Sequence, residues 1–451
     1  MQRSANILWI RRLIWAYFFL LIFEGVLRKW VVPSLSNPLL LVRAPIVIVI
    51  YALAIQSRVF PFNRWVMCCC LLAFLGLFAG LYVLQDAPIV ALFGFQADFL
   101  HLPLIFVIPH VFDLQDVRQI GFWTLIFSIP MALLMVLQFQ AAPTSVLNAG
   151  AAGSVNGQLG AALGHIRPAG TFTFISGPAA FFPFVAAFLL IGPFVNLNYP
   201  RWLQTASALA LIVGAAVSSS RTLASAVGIV LVCAVVGGTL LQPFLVSQRV
   251  IIRVVQGAIL LAIVGFAVSH LPVFNAGLET FSARITMANG GEASTGGFTG
   301  RIVSGYTGPL ELFATTPFFG NGLGLGTNAG SALVNAGAVK YMLAEDEWSR
   351  VILESGPALG GAYLLLRVGL VVWLAWVSIK MGRQGNVLPF LLLGCCAPAL
   401  VQGQFGQPTE LGFAVFGGGL TLAAMHAFPV SQKQTGSASF MESSPQSEVA
   451  A

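Results

Sequence analysis

Five cationic side chains stand at positions where a membrane protein is normally poor in positive charge, namely Arg28, Lys29, Arg167, Arg221 and Arg301. Lysine and arginine accumulate in the cytoplasmic loops of membrane proteins, so cations on the opposite face need a separate reason. An anionic ligand on that face is the simplest one. These residue types therefore predict an anion-binding site, if the membrane spans are counted as below.

Composition places the chain in a bilayer. Of its 451 residues, 57% are apolar and 8% are charged, and the mean hydropathy is +0.88. Repeated apolar stretches of about 17 to 25 residues can cross a hydrocarbon core as helices. We therefore predict an all-α fold, a polytopic transmembrane helical bundle. The net charge of +7 mainly reflects cytoplasmic loop cations, so no nucleic-acid partner is expected. The six cysteines lie in apolar runs without metal-ligand spacing, and no metal or cofactor is predicted.

Hydropathy predicts about twelve spans. The first, 13–27, is expected to be an uncleaved helix because no small-residue cleavage site follows it. The others are 38–56, 65–85, 88–112, 119–140, 177–196, 202–218, 222–242, 250–270, 351–378, 386–402 and 409–428. Nearly every loop on the N-terminal side then carries Lys or Arg, so both termini are predicted to be cytoplasmic. Residues 1–430 form one predicted transmembrane domain, and 431–451 a disordered cytoplasmic tail.

Two predicted periplasmic loops are too long for simple turns. Residues 141–176 follow the fifth span, and residues 271–350 separate the ninth from the tenth. Long loops of this kind are often functional. The second contains a predicted short helix around 309–315 and the glycine series Gly320–Gly326. That series lacks the lysine of a phosphate-binding P-loop, so a tight turn is favoured over a phosphate cradle.

The order of several short motifs resembles the O-antigen ligase and polymerase superfamily, bacterial inner-membrane glycosyltransferases of the metal-independent GT-C type. The motifs are Arg167-Pro-Ala-Gly-Thr-Phe172, Ser218-Ser-Ser-Arg-Thr222, Arg301 followed by Pro317 and Gly320-x-Gly-x-Gly, and Glu354-Ser-Gly356. A second segment, Glu24-Gly-Val-Leu-Arg-Lys-Trp30 through Pro33-Ser-Leu-Ser36 and Arg43, is similar to a subgroup of polysaccharide polymerase-like proteins. The first resemblance covers residues 160–365.

The resemblance implies transfer of a glycan from a polyprenyl pyrophosphate carrier to a sugar hydroxyl at the periplasmic face, together with other polysaccharide assembly proteins. Negative charge grows on the leaving pyrophosphate during this reaction, and guanidinium groups match its oxygens bidentately. By this resemblance Arg167 and Arg221 would bind pyrophosphate, followed by Arg301. Arg28 and Lys29 could do so too, or could bind lipid headgroups beside Trp30. Glu24 could pair with Arg28 along one helix face.

The attacking hydroxyl must lose its proton, which requires a base. Ligases of the superfamily carry a histidine nine residues before the Glu-x-Gly motif, and this chain has Glu345 there. Glu345, Asp346 or Glu347 could replace the imidazole. The alternative is a structural role, in which a carboxylate pairs with Arg350 or Arg301.

Other polar residues add less. His165 lies two residues before Arg167 and could contact glycan or phosphate, although a plain surface-loop role is the alternative. His101 and His110 are interpreted as interior polar residues without metal spacing. The amides of the segment 402–410, together with Phe405, would suit sugar hydroxyls.

Two other functional classes remain open. Twelve spans with both termini inside also suit a secondary transporter or exporter component, although the two halves show no internal repeat and acidic residues within the spans are scarce. A non-catalytic scaffold for polysaccharide export is the third reading, and it would predict that the outer arginines do not converge.

Overall fold

The computed structural model describes residues 2–155, 157–192, 194, 197–241, 269–291, 297–327, 330, 344 and 346–426. Over these residues the chain is helical, with no strand and one isolated antiparallel bridge between Gly160 and Ile166. The all-α prediction is therefore confirmed. The main helices are α1 (Gln2–Val26), α2 (Arg43–Gln56), α3 (Arg64–Val83), α4 (Pro88–Phe95), α5 (Leu114–Gln140), α6 (Ser176–Leu190), α7 (Arg201–Ser218), α8 (Arg221–Val236), α9 (Pro272–Gly291), α10 (Gly297–Thr315), α11 (Glu347–Arg383), α12 (Leu388–Gln402) and α13 (Pro408–His426).

Seven helical stretches within the described residues are long and apolar enough to cross a membrane. They are Pro33–Gln56, Arg64–Val83, Pro88–His110, Leu114–Gln140, Arg201–Ser218, Arg221–Leu240 and Glu347–Arg383. Five further spans were predicted. Two of them form shorter apolar helices, α6 and α12, of 15 residues each. The first and last lie in α1 and α13, and most of 250–270 lies outside the described residues, as does the predicted tail.

One face of α3 shows what surrounds the bundle. Met67, Leu71, Phe74, Phe78 and Tyr82 recur at helical spacing and are each more than half exposed. A soluble helix would bury such a stripe against its own core. The outward direction of this apolar face indicates contact with lipid.

The centre of the bundle is formed by α6, α12 and α13. Nearly every residue of α13 from Leu411 to Ala424 is buried, on all sides of the helix. A helix that is apolar all round packs inside other helices. Its Phe413 ring contacts Phe172, Phe181 and Phe184 at centroid distances of 5.9, 6.3 and 5.9 Å. This aromatic core fixes the start of α13 against the segment that precedes α6.

Two predicted spans are broken rather than continuous. The fourth, 88–112, divides into α4, a π-helical turn Gln96–Leu100, a short helix Leu104–Val107 and a 3₁₀ turn Ile108–His110. Prolines within this stretch remove backbone donors and favour such breaks. His101 is buried as predicted, whereas His110 is exposed, which corrects its interpretation as an interior residue. The tenth span is interrupted at Gly356, whose φ of 77° and ψ of 169° are not helical.

The predicted loop 271–350 contains two long helices, α9 and α10, which corrects its description as a loop with one short helix at 309–315. In α9 the residues Val273, Ala276, Gly277 and Thr280 recur on one face, and the Gly277 position lies against the backbone of Ala216 in α7. These helices are amphipathic rather than uniformly apolar. A search for membrane-length apolar runs therefore misses them.

Candidate functional site

The glycine loop, residues 317–327, closes around the side chain of Glu354. The backbone N–H groups of Gly324 and Gly326 donate to the two carboxylate oxygens, at 3.0 Å to Oε2 and 2.6 Å to Oε1. Gly322 N–H also donates to the Glu354 carbonyl at 3.1 Å. Gly320, Gly322 and Gly324 all have positive φ, which only glycine adopts readily. The loop is thus a tight turn, as predicted, and it holds an internal carboxylate.

Glu354 belongs to a buried group of five ionisable side chains, here called the acidic cluster: Asp98, Glu347, Arg350, Glu354 and Arg367. Arg350 bonds to all three carboxylates, with nitrogen to oxygen distances of 2.8 Å to Glu347, 2.8 Å to Glu354 and 2.6 Å to Asp98. Arg367 binds Glu347 at 2.7 Å. The cluster holds one more carboxylate than guanidinium groups, so its net charge is negative when all are ionised.

The acidic cluster depends on the break in α11. A straight helix would place Glu347 and Arg367 about 30 Å apart, since each residue advances it by about 1.5 Å. Their contact shows that the segment before Gly356 folds back beside the segment after it. Arg367 also donates to the carbonyls of Leu400 and Gly403 at the end of α12, at 2.8 and 2.9 Å. These are carbonyls that a helix leaves without partners at its C-terminus.

A second buried group, here called the basic cluster, contains Glu24, Arg28, Lys29 and Arg43. Arg28 pairs with Glu24 at 3.4 Å, which confirms the predicted pairing along one helix face, and Arg28 Nε donates to the carbonyl of Ser36 at 3.0 Å. Arg43 Nε pairs with Glu24 at 3.0 Å, and its Nη1 is buried with no hydrogen-bond partner among the described residues. Two guanidinium groups thus share one carboxylate.

Lys29 joins the basic cluster to the segment that follows Arg167. Its Nζ donates to the carbonyls of Gly170 and Phe172, both at 3.0 Å. The same segment packs against α1 so closely that a Cβ at Gly25 would lie 2.3 Å from the carbonyl oxygen of Thr171. Burial lowers the pKa of Lys29 to about 7. Arg28 and Lys29 are both buried among protein groups, which argues against a headgroup-binding role.

A small, partly open cleft, with a cavity volume of about 20 Å³, touches both clusters. Its lining includes Leu40 and Leu41, which precede Arg43 in sequence, and Pro408, whose carbonyl accepts a hydrogen bond from Arg43. The lining also includes Gln96 and Ala97, which precede Asp98 in sequence, and Phe405. The Phe405 N–H donates to Glu347 at 3.2 Å, and its ring lies 3.8 Å from the guanidinium carbon of Arg367. The lining residues themselves are uncharged, and the cleft meets the basic cluster through Pro408 and the acidic cluster through Phe405.

The predicted arginines lie in three places. Arg167 is next to the Gly160–Ile166 bridge, and its Nε donates to the Gly160 carbonyl at 3.1 Å. Arg221 is the first residue of α8, directly after the helix-capping Ser220. Arg284 of α9 donates to the carbonyl of Ser219 at this same helix end. Arg301 lies in α10, and its side chain is outside the described structure.

The three carboxylates predicted as candidate bases differ in their surroundings. Glu345 lies outside the described residues. Asp346 caps α11, where its Oδ1 accepts from Ser349 N–H at 2.8 Å. Glu347 accepts from Arg350, Arg367 and Phe405 N–H, so both its oxygens are engaged. Pairing with Arg350, the alternative considered from the sequence, is therefore the observed arrangement for Glu347.

His165 packs within the protein rather than standing free in its loop. Its ring stacks on Phe139 at a centroid distance of 4.0 Å and an interplanar angle of 9°. The Nδ1 atom lies 3.0 Å from the Phe139 carbonyl oxygen. These contacts give His165 a role in holding the segment 141–176 on the end of α5.

Sequence reasoning did not select Asp98, Arg350, Arg367 and Arg43 as site residues. A signal was present for Arg367, which is a single charged residue inside a long apolar run. Asp98 carried the same signal, because it is the single Asp, Glu, Lys or Arg in the predicted span 88–112. What the sequence could not show is that Asp98, Arg350 and Arg367 join one buried cluster, while Arg43 bonds to Pro408 at the cleft.

Over the described residues, the fold and site define an all-helical protein with several helices of membrane-spanning length and two buried clusters of charged side chains. Comparison with protein-family models, with curated proteins and with solved structures finds no match to this chain.

Proposed function

We propose that this chain transfers a glycan from a polyprenyl pyrophosphate carrier to a sugar hydroxyl at the periplasmic face of a bacterial inner membrane, as a polysaccharide polymerase or O-antigen ligase-like enzyme. The observation that supports it is that a basic and an acidic cluster of buried side chains meet one cleft, the first through Pro408 and the second through Phe405. Bond cleavage places negative charge on the pyrophosphate and positive charge on the sugar ring. Fixed charges that match this separation lower the energy of the transition state.

The basic cluster suits the pyrophosphate side of the reaction. Arg43 holds a permanent charge beside the cleft residue Pro408, and Arg28 shares the carboxylate of Glu24 with it. Arg167, three residues before the Gly170 carbonyl that Lys29 holds, would bind the same group from the loop. Arg221, at the start of α8, and Arg301, in α10, remain proposed ligands.

The acceptor side requires a base. Since Glu347 is engaged by two guanidinium groups, Asp346 and Glu345 are the remaining carboxylates of the predicted set. The helix cap uses Asp346 Oδ1, and Oδ2 makes no hydrogen bond within the described residues. Asp346 precedes Glu347, which is bonded to the cleft residue Phe405. We propose it as the general base.

This proposal includes a membrane arrangement. Twelve spans, cytoplasmic termini with a cytoplasmic tail at 431–451, and periplasmic positions for 141–176 and 271–350 would place both clusters on the outer side. Arg43, at the start of α2, donates to Glu24 near the end of α1 and to the carbonyl of Pro408 at the start of α13, which supports a common side for these helix ends.

The test is complementation of a deletion strain. The strain lacking this protein should accumulate lipid-linked oligosaccharide and lose its polymer or conjugate. Arg167→Lys, Arg221→Lys and Arg43→Lys should fail to restore product while still inserting, because a point charge cannot replace a bidentate fork. Arg118→Lys, at an exposed position near the start of α5, is the matched control and should complement fully. Normal product in the three test variants would refute the proposal.

The main alternative is a secondary transporter or exporter component, and one observation favours it. Five buried ionisable groups lie beside two broken helices, an arrangement that transporters use to bind coupling ions. Reconstituted vesicles separate the two. A transferase forms product from lipid-linked oligosaccharide without an ion gradient across the vesicle membrane. A secondary transporter instead moves its substrate across that membrane, driven by a gradient. A scaffold would do neither.

A further inference from the structure

We propose that Gln96 recognises a sugar hydroxyl in the cleft, and that His101 and Tyr17 hold its amide in position. This assignment rests on the proposed function, because it takes a glycan as the occupant. Gln96 lines the cleft, and its Nε2 lies 3.2 Å from Nε2 of His101. The Nδ1 atom of the same ring lies 3.2 Å from Oη of Tyr17.

The π-helical turn explains how Gln96 reaches His101. In an α-helix, residues five apart point about 140° away from each other, because each residue turns the helix by about 100°. A π-helix is bonded from residue i to residue i+5, so these two positions lie over one another. The turn Gln96–Leu100 therefore aligns Gln96 with His101, and it sends Asp98 to Arg350 on the acidic side.

The hydrogen-bond chain fixes what Gln96 presents to the cleft. An amide nitrogen can only donate, so Nε2 of His101 accepts from it and the ring proton lies on Nδ1, which donates to Tyr17 Oη. Gln96 Oε1 makes no hydrogen bond within the described residues. It is thus left as an acceptor in the cleft, suited to a hydroxyl donor. Carbohydrate recognition relies on such oriented polar groups within a largely apolar site.

The other two members of this hydrogen-bond chain, His101 and Tyr17, are too buried to contact a ligand directly. His101 is 2% exposed and Tyr17 is fully buried. The Tyr17 ring lies 5.4 Å from the guanidinium carbon of Arg43, so the hydrogen-bond chain that begins at Gln96 in the cleft ends beside the basic cluster. His101 and Tyr17 are positioning residues. Their variants should change selectivity for the glycan more than binding of the carrier.

The experiment measures binding of two probes to the full-length protein in lipid nanodiscs. One probe is the lipid-linked oligosaccharide extracted from the deletion strain, and the other is polyprenyl pyrophosphate without a glycan. Gln96→Leu should weaken the first about tenfold, the effect of losing one well-made hydrogen bond, and leave the second within about twofold. Tyr17→Phe should weaken the first about threefold, because it frees the imidazole to change its tautomer. Gln119→Leu, exposed on α5, should change neither.

The outcomes separate this inference from the proposed function. If the unmodified protein binds neither probe, the proposed function fails and the role of Gln96 fails with it. If it binds both and Gln96→Leu retains full affinity for the glycan-bearing probe, only the role of Gln96 is overturned. An equal loss of both probes would show that Gln96 merely supports the fold, and it would also overturn the assignment.

Discussion

Glu347 Oε1 lies 2.7 Å from Nη1 of Arg367, although the two residues are twenty positions apart in one helical element. This contact is possible only because Gly356 reverses the chain between them. It fastens the fold-back, brings Arg350 to Asp98 and leaves Phe405 between the cluster and the cleft. The shape of the candidate site thus follows from one buried ion pair and one glycine.

Breaking this pair should destabilise the fold. Glu347→Leu leaves Arg367 buried beside Phe405 without its carboxylate, and uncompensated buried charges typically cost about 3–5 kcal/mol. We expect a loss of this size in the free energy of unfolding, measured by denaturation in detergent micelles. Glu279→Leu, at an exposed position of α9, is the control and should change stability by less than about 0.5 kcal/mol.

The double variant Glu347→Leu with Arg367→Leu tests the contact itself. Removing both charges eliminates the unpaired guanidinium, so the double variant should be less destabilised than the sum of the two single variants. Strict additivity would mean that the two side chains do not interact, and the fold-back would need another cause.

The glycine loop gives a second prediction. A Cβ at Gly324 would lie 2.3 Å from the Val90 carbonyl oxygen, and the φ of 92° is unfavourable for alanine. Gly324→Ala should therefore lower stability by about 1–3 kcal/mol and detach the N–H groups that hold Glu354. Gly228→Ala serves as the control, because a Cβ there meets nothing within 4 Å and alanine favours the helix. Equal melting temperatures for the two variants would contradict the observed loop conformation.

The sequence predicted the elements better than it predicted the site. Uniform apolar runs identify helices such as α3 and α5 because lipid and core both select apolar residues. The amphipathic helices α9 and α10 escape this criterion. The glycine series was correctly read as a turn, but its occupant, Glu354, lies 28 to 30 residues further on. Contacts at such separations depend on the reversal at Gly356, which spacing alone does not reveal.

The proposed base can be tested without losing the helix cap. Asparagine caps a helix about as well as aspartate, so Asp346→Asn should keep stability within about 0.5 kcal/mol while removing proton acceptance. Product formation should then fall by about 10²- to 10⁴-fold. Asp346→Ala should add a stability loss of about 1 kcal/mol. Unchanged turnover in Asp346→Asn would exclude Asp346 as the base, and Glu345→Gln would be tested next. Unchanged turnover in Asp346→Asn, Glu345→Gln and Glu347→Gln together would exclude a carboxylate base in this segment.

Stability should depend on pH through Lys29. Its pKa falls to about 7 on burial, from 10.5 in the unfolded chain. Below pH 7 the amine is charged in both states, and folding carries the full cost of burying that charge. Between pH 7 and 10.5 the folded protein binds fewer protons than the unfolded chain, so stability rises with pH. The neutral amine still has two N–H donors for the Gly170 and Phe172 carbonyls.

The melting temperature should therefore increase from pH 7 to pH 9 in the unmodified protein, and Lys29→Met should remove this increase. The variant should also be less stable at pH 9, because the Phe172 carbonyl loses its donor, at a cost of about 1–3 kcal/mol. Lys380→Met, at an exposed position near the end of α11, is the matched control and should keep the pH dependence. If Lys29→Met shows the same rise with pH as the unmodified protein, another group titrates and Lys29 is charged throughout this range.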